Sequence, residues 1–143
     1  MAPPRTDLQR ILGTAALLAA ASLTALAAAP AAAASPADLL AGYRAAAGGA
    51  APAADRGRLL FTGTHGREWS CASCHGATPT ATGKHANTGK PIAPLAPAFN
   101  AERFADAAKT EKWFRRNCND VIGRECSAAE KADMLAWLMT LKP

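Results

Sequence analysis

CASCHG, Cys71 to Gly76, decides how the rest of this chain is read. Two cysteines about one helical turn apart, with a histidine directly after the second, form C-x-x-C-H, the attachment signature of a c-type haem. The spacing has a mechanical reason. On a helix, Cys71 and Cys74 present both thiols to one porphyrin edge, where they add across its two vinyl groups. His75 lies on that side and reaches the iron from the proximal face. A C-x-x-C disulfide of the redox type is the competing reading, but it goes with a βαβ setting that this chain does not offer. Zinc would need two more ligands at suitable spacing. One covalent haem c held by Cys71, Cys74 and His75 is therefore the expectation.

The compartment follows from the N-terminus. Arg5 and Arg10 form a short basic region, Ile11 to Ala29 is uncharged and apolar, and small residues crowd Pro30 to Ser35. This is the layout of a secretory signal peptide over residues 1–34, cleaved near Ala34. An uncleaved anchor is the alternative, since about 18 apolar residues can span a bilayer. Alanine dominates the stretch, which makes insertion weak. A periplasmic domain over 35–143 is expected, and thiols exported there are paired or otherwise committed. Cleavage removes Arg5, Arg10 and Asp7, and the formal net charge falls from +5 to +4. That charge suits an acidic protein partner. It argues against nucleic acid, because the basic residues are scattered and aromatics are few.

The mature segment reads as helical. SPADLLAGYRAAAG is a first helix, with Ser35 as cap, Pro36 in the first turn, and Leu39, Leu40 and Tyr43 on one face. GGAAPAA is a linker. DRGRLLFTG follows as a second helix carrying Leu59, Leu60 and Phe61, ended by Gly63. Ala77 to Asn100 contains four prolines and no apolar period, a loop long enough to be functional or wrapped around something. Helical pattern resumes after Asp106 through AAKTEKWFRRNC. A last helix opens with the capping-box spacing of Ser127 and Glu130 and carries the stripe Met134, Leu135, Leu138, Leu141. No convincing strand is visible. The apolar set is thin for so many short helices, as a core filled by haem would leave it.

With Cys71 and Cys74 consumed by thioethers, Cys118 and Cys126 remain to pair, and Gly123 lets the intervening loop close. The sixth iron ligand is less direct. An electron-transfer cytochrome c usually offers a loop methionine, but Met134 and Met139 both fall inside the last helix, where Met134 reads as core. His65 and His85 sit in polar loop sequence, where a solvated histidine is the ordinary case, and both remain alternatives. Asn117 is the third. It lies one turn beyond Trp113 and Phe114, which define the buried face of their helix, and a polar group there needs a partner. Capping of the helix end is the bland reading of that asparagine.

CASCHG, TGKPIAPLAP, EKWFRRNCNDVIGREC and AEKADMLAWL, in this order, resemble the sphaeroides haem protein family, small oxygen-binding monohaem cytochromes c. The likeness spans essentially the whole mature chain, and NCNDVIGREC is its specific part. It implies an all-α, class I cytochrome c-like fold of short helices around one haem. It implies an asparagine axial ligand just before the first cysteine of a disulfide loop, which is Asn117 here with Cys118–Cys126 as the loop. It also implies a dihaem cytochrome c and a membrane cytochrome b as electron donors. Trp113, with Lys112, Arg115 and Arg116, is expected near the haem, and a carbonyl in Pro91 to Pro97 is expected to accept the His75 ring N–H.

Three functions compete on these grounds. The first is an electron-accepting haem protein that binds O2, NO or CO at ferrous iron after Asn117 leaves. The second is a plain electron carrier. The third is a small enzyme reducing oxygen, peroxide or nitrogen oxides. Such an enzyme wants a distal acid–base group, and only Asn117 and the two histidines are on offer. The reading favours the three in that order.

Overall fold

The computed structural model describes residues 33–143. The expected signal peptide and its cleavage boundary therefore lie almost wholly outside the described residues. Helix α1 spans Pro36–Ala46, α2 Ala54–Thr62, α3 Cys71–His75, α4 Ala107–Ile122 and α5 Ala128–Thr140. Among the described residues no helix is long and apolar enough to cross a membrane.

Local chemistry sets the helix starts. Ser35 Oγ accepts the Asp38 N–H while the Asp38 carboxylate accepts the Ser35 N–H, a reciprocal cap, and Pro36 occupies the first turn of α1. Asp106 caps α4 and the Ser127–Glu130 box opens α5, as their spacing foretells. Helix α4 runs a full turn beyond the end read from sequence at Cys118. It stops at Gly123, whose φ of 84° is the left-handed value a glycine adopts readily.

The core is the crossing of α2 and α5, with α1 laid against α5. Gly57 makes the crossing close: a Cβ built there would lie 2.0 Å from the Asp133 carbonyl oxygen. One turn on, Phe61 is fully buried with its ring centroid 4.9 Å from that of Trp137. The buried Asp133 carboxylate accepts the Ala53 N–H at 2.6 Å and the Arg56 guanidinium at 2.7 Å, fastening the start of α2 to α5. Leu60 packs on this core, whereas Leu59 is exposed, contrary to its place in the expected apolar set.

Between α3 and α4 the long loop is pinned rather than structureless. Gly83–Lys84 (β1) and Pro91–Ile92 (β2) form a two-residue antiparallel ladder where no strand was expected, Gly83 facing Ile92 and Lys84 facing Pro91. Leu95 and Ala96 both donate their N–H to the Pro79 carbonyl at 3.0 Å. One 3-10 turn, Pro97–Phe99, then leads to α4.

A candidate haem site

Serine chemistry places the attachment motif. Ser70 Oγ accepts the Ser73 N–H at 3.2 Å, and Ser73 Oγ accepts the Ser70 N–H at 3.0 Å, which starts the short helix α3 at Cys71. Gly76 ends it at φ 78°. Gly83 lets β1 pass directly beneath: a Cβ there would lie 2.2 Å from the Cys74 carbonyl oxygen. Cys71 and Cys74 are unpaired and half-buried. Burial pushes the Cys71 thiol up to about 11.

Both cysteines and His75 line one cavity of about 770 Å³, within the usual range of roughly 300–1,000 Å³ for cofactor pockets. Its apolar walls include Phe61, Leu95, Phe104, Phe114, Met134 and Leu138. Burial, with the nearby Arg103 charge, pushes the His75 imidazole down to about 4, so it is neutral at physiological pH, the form that binds metal. Two thiols and a neutral imidazole on one turn of helix, facing an apolar cavity of this size, are a donor set that fits haem c.

Asn117 lies on the wall of the same cavity, half-buried on α4. Among the described residues its side chain has no hydrogen-bond partner, whereas the amide of Asn119 is satisfied by the Arg115 carbonyl at 2.7 Å. Cys118 and Cys126 form a disulfide with Cα atoms 5.6 Å apart, tying α4 to the residue preceding the α5 cap. Trp113 also lines the cavity, but it is 42 % exposed and does not share the buried stripe of Thr110, Phe114 and Cys118. Adjacent aromatics on a helix sit about 100° apart, so only Phe114 faces the helix core. Arg116 lines the cavity too and lies 5.6 Å over the Trp113 ring, while Lys112 and Arg115 do not reach the wall.

The histidine alternatives separate. His65 is off the cavity, its Nε2 2.7 Å from the Leu60 carbonyl. His85 is half-buried at the cavity wall, with Nδ1 accepting the Thr88 N–H at 3.3 Å. Met134 is buried in the wall as core, as its stripe indicates.

Two of the carbonyls of residues 91–97, where a partner for His75 is expected, have other donors. The Pro94 carbonyl accepts Arg103 Nε at 2.9 Å and Asn100 Nδ2 at 3.2 Å, and the Ala93 carbonyl accepts Arg103 Nη2 at 2.8 Å. Among the described residues the His75 ring has no hydrogen-bond partner. Arg103 thus holds the loop against the cavity, a role no motif announces. Its neighbour Phe104 sits on the wall at φ 62°, a left-handed conformation that strains a bulky side chain.

Comparison with known proteins places this geometry. Residues 47–138 match the family described as "Domain of unknown function (DUF1924)". The cytochrome c-type protein SHP of Cereibacter sphaeroides is 56% identical over 104 residues, covering 70% of this chain and 79% of that protein. The chain belongs to the SHP family. A second likeness is to cytochrome c'' of Methylophilus methylotrophus, 44% identical over 94 residues, 63% of this chain and 65% of that protein. The solved structure of oxidized SHP, described as an oxygen binding cytochrome c, superposes with TM-score 0.70 at 54% identity, covering 76% of this chain and 98% of that one. Oxidized cytochrome c'' superposes with TM-score 0.65 at 38% identity, covering 76% and 95%. This SHP-family chain is accordingly a monohaem c-type cytochrome with a helical cytochrome fold and haem c as cofactor.

Proposed function

We propose that this is an exported cytochrome that accepts electrons and binds O2, NO or CO at ferrous haem once Asn117 has left the iron. Cys71 and Cys74 carry the thioether bonds and His75 is the proximal ligand. When bound, haem c supplies an iron that takes up one electron and has a distal position for a diatomic ligand. Asn117 offers that position a hard, neutral amide oxygen, which suits ferric iron better than ferrous iron. On reduction Asn117 would leave the iron, and its freed amide N–H would donate to the incoming ligand. The observation that carries this reading is Asn117 itself: it lines the cavity of Cys71, Cys74 and His75, and its amide has no hydrogen-bond partner among the described residues. The oxygen binding stated for SHP and the haem-ligand detachment stated for cytochrome c'' support the same reading. Export follows from the signal-peptide layout of residues 1–34, and a dihaem cytochrome c and a membrane cytochrome b are the proposed electron donors.

The test is spectroscopic. Ferric Asn117→Ala should turn high-spin or water-ligated, while ferrous mutant and wild type should match and bind carbon monoxide equally fast. His85 at the cavity wall supports a second reading, the plain electron carrier. If His85→Ala alone turns the ferric protein high-spin, and the wild-type ferrous form stays six-coordinate, that reading replaces the first.

A further inference from the structure

We infer that Tyr43, Glu111 and Lys131 are positioning residues that hold α4, and with it Asn117, in the iron-ligating position. The inference rests on Asn117 being the distal ligand. Helix α4 buries only Thr110, Phe114 and Cys118, so apolar packing alone holds it weakly for its length. One carboxylate supplements that packing. Glu111 on α4 accepts the Tyr43 hydroxyl of α1 at 2.6 Å and the Lys131 ammonium of α5 at 2.7 Å. A single side chain thereby ties α4 to both helices behind it.

The surroundings strengthen the tie. Tyr43 is buried, and the Lys131 side chain is only 13% exposed. The Lys131 ammonium lies 5.6 Å from the Tyr43 ring centroid and 5.8 Å from that of Phe114. Those two rings meet edge-on at 5.8 Å. Phe114 is both part of this cluster and part of the cavity wall, and it precedes Asn117 by less than one turn. Charge-assisted hydrogen bonds of this kind are stronger than neutral ones, and here they act on a partly water-excluded cluster.

Asn117 therefore sits between two attachments of different kind. Immediately after it, Cys118 is covalently fixed to Cys126. Before it, about 9 Å along the axis, Glu111 is fixed only by hydrogen bonds. The disulfide cannot open without chemistry, so movement of Asn117 toward or away from the iron is governed by the cluster upstream. A merely structural role for Tyr43, Glu111 and Lys131 would stabilise the fold without changing how long Asn117 stays on ferric iron.

The experiment measures azide or imidazole binding to the ferric holoprotein, which must wait for Asn117 to leave. Tyr43→Phe, Glu111→Gln and Glu111→Ala should each accelerate it, by about three- to tenfold for loss of one or two charge-assisted bonds. Arg56→Gln, which removes a tie between α2 and α5 instead, should lower thermal stability without accelerating binding. In an Asn117→Ala background the Glu111 and Tyr43 substitutions should have no further effect. If Asn117→Ala itself changes neither ferric spectrum nor rate, the distal-ligand reading fails. Where Asn117→Ala accelerates binding but Tyr43→Phe and Glu111→Gln do not, the positioning role fails alone. It also fails if Arg56→Gln accelerates binding as much as Glu111→Gln, or if the acceleration by Glu111→Gln persists without Asn117. Tyr43→Phe removes a single hydroxyl and keeps the test open should the Glu111 variants not fold.

Discussion

Gly57→Ala should unfold this protein at lower temperature although alanine is the better helix former. A Cβ at position 57 would meet Asp133 O at 2.0 Å, Asp133 C at 2.4 Å and Met134 N at 2.8 Å, all backbone atoms of α5. Ordinary C···O contacts begin near 3.3 Å, so the helices must part by about 1.3 Å. Overpacking against atoms that cannot rotate aside costs about 3 kcal/mol, the upper end of the usual range, and alanine returns about 1 kcal/mol of helix propensity. The net loss of about 2 kcal/mol corresponds to a fall in Tm of roughly 8–12 °C for a domain of this size. Gly42→Ala in α1 is the paired control. It has the same propensity gain, but nothing lies within 4 Å of its Cβ, so Tm should rise by a few degrees. Thermal unfolding of both holoproteins, followed by circular dichroism, makes the comparison. The haem spectrum of Gly57→Ala should shift as well, because Phe61 stands with its centroid 6.2 Å from that of His75. Equal changes of the same sign in both variants would refute the close crossing as the cause.

Cys71→Ala combined with Cys74→Ala should remove the covalent haem, read as loss of the haem increment in the intact mass. Arg103→Gln should lower the midpoint potential by tens of millivolts, because a cation beside His75 that disfavours ferric iron has gone; an unchanged or raised potential in a redox titration contradicts this. Acid should loosen the start of α5 through Glu130, whose carboxyl the Arg124 guanidinium holds down at about 2 from an ordinary 4.5. The folded value is depressed, so this stabilisation is complete above pH 4.5 and is lost as pH falls toward 2. Unfolding measured from pH 6 to 2 should show a shallower acid loss in Arg124→Gln than in wild type.

What could be read ahead of the structure was local. C-x-x-C-H, the Ser127–Glu130 box and the caps at Ser35 and Asp106 are each complete within one helical turn, and all sit where spacing places them. The cysteine pair was legible by elimination. Trp113 was assigned to the buried face because period alone cannot choose between two adjacent aromatics; the choice is made by α1 and α5, which take Phe114. The two-residue ladder at Gly83 is too short to leave an alternation. Arg103 was invisible because its partners are the backbone carbonyls of Ala93 and Pro94, and carbonyls have no sequence signature. Cavity placement of Asn117 agrees with its helical phase, and its bond to iron stands as the proposal to be tested.

The position of the disulfide also bears on how the chain matures. Four thiols emerge from synthesis, and two must stay reduced to meet a porphyrin while two are oxidised. Cys118 and Cys126 are 8 residues apart, whereas a mistaken bond from Cys71 to Cys118 would close a segment of about 47. The longer closure is disfavoured by about 1.6 kcal/mol, roughly fifteenfold in encounter probability. After folding, Cys118 and Cys126 are both buried at the junction of α4 and α5, where burial limits thiol–disulfide exchange. Loop closure thus favours the Cys118–Cys126 bond over a bond from either of those cysteines to the haem-accepting pair.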